Sequence, residues 1–224
     1  MLEKNLKTVQ ERLQKAVSKR RVPLDKITLV AVTKTVPVPV IRQAQALGIA
    51  DFGENRLQEA LPKVAALPSG IHWHFIGHLQ TNKVKSVLPV FKLIHSLDSI
   101  RLARKIQKEG EKTGRKANVL LQVNIGLEQS KFGFQPEEVE DALEELAGYS
   151  NLKVMGLMAI APFLADPEEV RPYFRRLYGL FKKIEIPGIM MKYLSMGMSN
   201  DFEVAVEEGA NMIRLGSILF GERS

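Results

Sequence analysis

The feature that most constrains this chain is an alternation. Eight short runs rich in β-branched and aromatic residues are separated by longer stretches with helical spacing. The runs are Ile27–Thr33, Ile49–Phe52, His72–Ile76, Phe91–Leu97, Asn118–Ile125, Leu152–Ile160, Tyr193–Met196 and Met212–Leu215. Helical patterns fall between them at Pro39–Leu47, Arg56–Ala66, Asn82–Leu88, Ser99–Thr113, Pro136–Ala147, Pro167–Ile184 and Asp201–Glu208. Strands alternating with helices must run parallel and be joined by right-handed crossovers. Eight such units predict an α/β fold of one particular kind, a single closed (β/α)8 TIM barrel over residues 1–224. A doubly wound open sheet is the alternative, and it loses ground because no Gly-x-Gly-x-x-Gly fingerprint is present. One further helix precedes the first strand. Leu2, Leu6, Val9, Leu13 and Val17 form its apolar stripe, and Glu3 and Glu11 break up the basic face. Residues 1–21 are therefore expected to be a docking helix rather than a nucleic-acid arm.

Composition removes several function classes. The 224 residues contain no cysteine, which excludes disulfides, thiolate metal sites and cysteine nucleophiles and suits a cytoplasmic protein. No apolar run is long enough to span a bilayer, and the N-terminal residues lack the pattern of a secretory signal. The net charge of +7 is spread along the sequence, so neither a nucleic-acid nor a membrane partner is expected. No large apolar patch is evident, and a monomer is expected.

In a barrel, the chemistry gathers where the strands end. Lys34 follows Leu29-Val30-Ala31-Val32, and strand alternation gives it the facing of Val30 and Val32. A partly desolvated lysine there is a usable amine nucleophile, able to form a Schiff base with an aldehyde. A lysine snorkelling just past the strand end fits the pattern equally well. Ser195-Met196-Gly197-Met198-Ser199-Asn200 and Arg214-Leu215-Gly216-Ser217 end the seventh and eighth runs, where barrels often hold phosphate. Arg214 needs a partner, either a ligand atom or a carboxylate such as Glu203 or Glu207. Glu54 and Asp98 could act as acid and base, although helix starts collect carboxylates anyway. His72, His74 and His78 suggest zinc, but a His-Glu-x-x-His pattern is absent and no metal is expected.

Several segments together are distinctive: AVTKT around Lys34, DFGENRLQE from Asp51, WHFIGHLQTNK from Trp73, VNIGLEQSKFGF from Val123, GLMAI from Gly156, LSMGMSNDFEVAVEEGA from Leu194 and IRLGSILFGER from Ile213. In these segments the chain resembles the YggS/PROSC family of pyridoxal-phosphate-binding proteins, also called PLP homeostasis proteins, over nearly its whole length. It departs at Leu79, which directly follows Gly77-His78 where many members have a proline first, and it leaves no room for a final long helix after Arg223. The resemblance implies a barrel similar to the N-terminal domain of alanine racemase. It implies pyridoxal 5'-phosphate (PLP) carried as a Schiff base on Lys34, with the phosphate on Ser195, Gly216 and Ser217 and with Ser199 close by. Arg214 would face the pyridine nitrogen, and Asn55 and Met158 would lie near the ring. Lys131 would be a second family lysine with a part in cofactor transfer. The implied role is vitamin B6 homeostasis, buffering the cofactor or delivering it to apo-enzymes, and not catalysis; a weak amino-acid racemase is the alternative. A racemase needs a second base, and none of Tyr149, Tyr173, Tyr178 and Tyr193 falls at a strand end that would supply one.

Overall fold

The computed structural model describes residues 1–20, 27–126 and 132–221. Eight parallel strands close into a barrel in sequence order: β1 (Thr28–Val32), β2 (Asp51–Glu54), β3 (His72–Phe75), β4 (Leu93–Leu97), β5 (Ala117–Val123), β6 (Leu152–Ala159), β7 (Tyr193–Ser195) and β8 (Met212–Leu215). Closure is made by β8 pairing with β1, with Val30 opposite Arg214 and Ala31 opposite Leu215.

A helix follows each strand: α2 (Val38–Ala46), α3 (Leu57–Ala66), α4 (Val84–Val87), α5 (Ile100–Thr113), α6 (Val139–Ala147), α7 (Arg171–Lys183), α8 (Phe202–Glu207) and α9 (Ser217–Phe220). Local chemistry sets several boundaries. Ser99 caps α5 by accepting the Leu102 N–H, and Gly114, with φ of 66°, ends it in the left-handed conformation. The extra helix α1 (Leu2–Arg20) buries Leu6, Val9, Leu13, Ala16 and Val17. Its Arg12 pairs with Glu203 and lies over the Phe202 ring of α8, and its Asn5 donates to the Leu219 carbonyl of α9.

Strand alternation divides the core into two layers. Phe52, Trp73, Ile94, Leu121 and Leu194 pack outward against the helices. Val30, Leu93, Leu120, Met158 and Met212 fill the barrel interior. Most strand boundaries differ from the sequence reading by a residue or two, and α6 and α7 start three and four residues later because a 3-10 turn opens each segment at Pro136 and Pro167; β2 begins at Asp51 rather than Ile49 and runs on through Gly53. A Cβ on Gly53 would lie 3.0 Å from Val30 Cγ1, so a strand position that looks like a turn in sequence is a place where the interior admits no side chain. Among the described residues, no helix is long and apolar enough to cross a membrane.

Candidate functional site

Lys34 sits on a strained turn at the C-terminal end of β1. The Val36 N–H donates to the Thr33 carbonyl at 2.9 Å, making Lys34 and Thr35 the two central residues of a four-residue turn. Thr35 has φ of 66° and is the only described non-glycine residue with positive φ. A β-branched residue there costs about 1–2 kcal/mol, so the surrounding structure must hold it. The hold comes from below. Lys63 of α3 donates to the same Thr33 carbonyl at 2.7 Å and to Glu54 Oε1 at 2.6 Å, and the Thr33 hydroxyl donates to that oxygen too. Glu54 is fully buried between strand and helix, away from Asp98, which bonds His78. The two carboxylates do not form an acid–base pair.

Two cavities of about 240 Å³ each meet at Lys34, and Val32, Lys34, Gly216 and Ser217 stand on the walls of both. One extends over Thr35, Val40 and Phe220, the other over Ser199, Asp201 and Arg214. At their junction the Gly216 and Ile218 N–H groups both point to the Ser199 hydroxyl, at 3.3 and 3.4 Å. Bonds that long are weak, so an anionic oxygen would be a better acceptor for both. Asp201 braces this loop by accepting the Met198 N–H, and burial pushes its carboxyl up against the opposing effects of that bond and of Arg214.

Arg214 is buried at the cavity wall. Its Nη1 donates to the Ser195 carbonyl and hydroxyl at 2.9 and 2.6 Å, and its Nη2 to the Ala159 carbonyl at 2.9 Å. Burial pulls its guanidinium down to about 10, with Asp201 opposing. It remains charged at neutral pH. A guanidinium carries five donors, and those left over find no acceptor among the described residues. Neither Glu203 nor Glu207 is its partner; they pair with Arg12 and with Lys19 and Arg171.

The structure thus brings Lys34, Ser199, Arg214, Gly216 and Ser217 together. Ser195 lies on neither cavity wall: it is fully buried, its hydroxyl held between Arg214 and His95. Met158 lies in the interior layer under the site. Asn55 follows β2 directly, and its buried Oδ1 has no hydrogen-bond partner among the described residues. Lys131 lies outside the described residues. The three histidines of the zinc reading diverge. His72 and His74 share Asp51, while His78 stacks on Phe132, and no metal-binding cluster occurs among the described residues. Nothing in the sequence marks His95 or Thr35 as functional. Each is an ordinary residue until the turn and the barrel interior are known.

The family model for the N-terminal domain of alanine racemase matches residues 2–224. The pyridoxal phosphate homeostasis protein of Aquifex aeolicus is 46% identical over 220 residues, covering 97% of this chain and 96% of that protein. The human protein of the same name is 40% identical, covering 97% of this chain and 85% of its own. This chain belongs to the pyridoxal phosphate homeostasis protein family. PipY of Synechococcus elongatus, solved with PLP bound, superposes with a TM-score of 0.79 at 35% identity, covering 95% of this chain and 100% of PipY. Alanine racemase of Clostridium difficile, at 18% identity and a TM-score of 0.74, shares the fold.

Proposed function

We propose that this protein binds pyridoxal 5'-phosphate at the junction of the two cavities and serves PLP homeostasis, as its relatives are named for doing. The observation that carries the reading is Lys34, held by a strained turn on the wall that both cavities share with Gly216 and Ser217. Two features of the site fit the cofactor. The Gly216 and Ile218 N–H groups, weakly engaged by Ser199, suit phosphate oxygens, and the spare Arg214 donors suit an unprotonated pyridine nitrogen. The resemblance would also set Asn55 near the ring, and its buried Oδ1 has no partner among the described residues. Lys34 would hold the cofactor as a Schiff base with its aldehyde, with loss of water. Met158 closes the floor from below. Ser195 acts on Arg214 rather than on phosphate.

PLP, when bound, supplies an electron sink. A guanidinium facing the ring nitrogen does not protonate it, which weakens that sink and favours storage over carbanion chemistry. The tyrosines point the same way. Tyr193 lines the opposite end of the barrel, Tyr149 donates to Glu145, and Tyr173 and Tyr178 lie on α7. We therefore read the protein as a non-catalytic, cytoplasmic, monomeric carrier that buffers PLP or passes it to apo-enzymes. The racemase reading has the fold of alanine racemase in its favour and predicts D-isomers from a panel of L-amino acids.

The test is the visible spectrum of the protein with added PLP, before and after borohydride, followed by peptide mapping. A band that bleaches, with pyridoxyl mass on Lys34 and no band in Lys34→Ala, is expected. A protein that stays colourless and unlabelled would overturn the reading.

A further inference from the structure

A line of hydrogen bonds crosses the barrel interior from its lower mouth to Arg214. His74 Nε2 lies 2.9 Å from Asp51 Oδ1, and His74 Nδ1 lies 2.9 Å from His95 Nε2. His95 Nδ1 lies 3.0 Å from Ser195 Oγ, which accepts from Arg214 at 2.6 Å. His74, His95, Ser195 and Arg214 are all buried. The first strand residue of the line, Asp51, opens on a cavity of about 350 Å³ at the strand starts, lined also by His72, Lys92, Lys192 and Tyr193.

The chemistry of the carboxylate end fixes the direction of every bond in the line. Arginine only donates, and an ionised carboxylate only accepts. A neutral His74 donates from Nε2 to Asp51 and therefore accepts on Nδ1. His95 must then carry its proton on Nε2 and donate to His74 Nδ1, which leaves its own Nδ1 to accept the Ser195 proton while Ser195 Oγ receives from Arg214. The reverse order would set His74 Nε2 lone pair against the carboxylate, unless His74 were an imidazolium. Burial keeps His95 neutral, and contacts with His74 and His72 outweigh burial in holding the Asp51 carboxyl low. The carboxylate end therefore sets the polarity, and Arg214, which only donates, is compatible with it.

We propose that Asp51, His74, His95 and Ser195 are positioning residues for Arg214, forming an oriented relay that fixes which guanidinium donors are left for a ligand and ties that choice to the opposite mouth of the barrel. A chain of aligned dipoles ending on a carboxylate also favours a buried cation at its other end. The ligand arm of this proposal rests on the PLP reading above; the relay itself does not.

Two measurements separate them. In the ligand-free protein, ¹⁵N spectra of histidine report tautomers directly. His74 and His95 are expected as neutral Nε2–H rings, retained in Asp51→Asn, whose amide oxygen still accepts, and lost at His74 in Asp51→Ala. An Nδ1–H ring at either position in the unaltered protein would overturn the relay. With PLP added, Ser195→Ala is expected to weaken binding about tenfold, the scale of losing a supporting partner behind a ligand-binding group, and to move the visible maximum. Binding and spectrum identical to the unaltered protein would overturn the coupling to the ligand. Failure of the unaltered protein itself to take up PLP would overturn the PLP reading and this coupling, while the tautomers still decide the relay.

Discussion

Lys63→Met tests how the turn under Lys34 is held. The substitution keeps most of the unbranched apolar stem of the side chain but removes its charge. Glu54 has no exposed surface, and its Oε1 loses the 2.6 Å ion pair while its Oε2 already lacks a partner among the described residues. Removing one partner of a buried pair costs about 3–5 kcal/mol, because the other charge is left uncompensated. For a protein of this size that is a fall in Tm of roughly 6–20 °C, at about 2–4 °C per kcal/mol. The Thr33 carbonyl also loses its 2.7 Å bond, which loosens the turn carrying Lys34 and Thr35. Calorimetry and urea unfolding read the stability, and uptake of PLP reads the turn. Replacing both partners, Glu54→Leu with Lys63→Met, is expected to recover most of the stability but not the uptake, since an apolar pair restores packing without restoring the bond to Thr33. A Lys63→Met protein melting within about 2 °C of the parent would refute the argument, given the magnitude expected for a buried pair.

The buried neutral ring of His95 gives stability a pH slope of known sign. Burial first, then unfavourable electrostatics with His74 and Arg214, push it well below the ordinary histidine value. Below about pH 6.5 the unfolded chain takes up a proton that the native ring refuses, so stability falls by about 1.4 kcal/mol per pH unit. The loss begins at the unfolded value and continues toward the folded one; comparing urea midpoints of the parent and His95→Gln across pH 7 to 5 isolates it, and parallel curves would count against it. Gly156→Ala is expected to abolish folding or cost at least about 4 kcal/mol. Gly156 has φ of +141°, and an added Cβ would land on the Tyr193 carbonyl oxygen where β6 pairs with β7. Near-parental circular dichroism and melting in that variant would show that the strands can separate there.

Much of this architecture was legible because parity is legible. Alternation from Val30 and Val32 put Lys34 on the inward side of β1, and the structure has it on the shared cavity wall. The same rule applied to Leu194 and Met196, which face the helices, turns Ser195 into the barrel; grouping it with the glycines that follow hid that. His95 lies in the largely apolar run Leu93-Ile94-His95-Ser96-Leu97 and looks like a satisfied core residue. Its partners come from β3 and β7, and no local pattern links positions so far apart. The turn at Thr35 was equally hidden. The positive φ that would normally call for glycine is imposed by Lys63 and Glu54 from another helix and strand.

The order of the strands has a kinetic side. Lys34 is carried by the first strand and Gly216 with Ser217 follows the last, so the two halves of the site become neighbours only when β8 pairs with β1. That pairing spans nearly the whole sequence and is the costliest loop to close. A chain with seven strands in place has one wall of each cavity missing and nothing to close on a ligand. Ligand binding therefore reports completion of the ring, and its free energy adds to the closed state alone. Refolding followed through the ligand should lag refolding followed through helix content, by the time the last seam takes to zip.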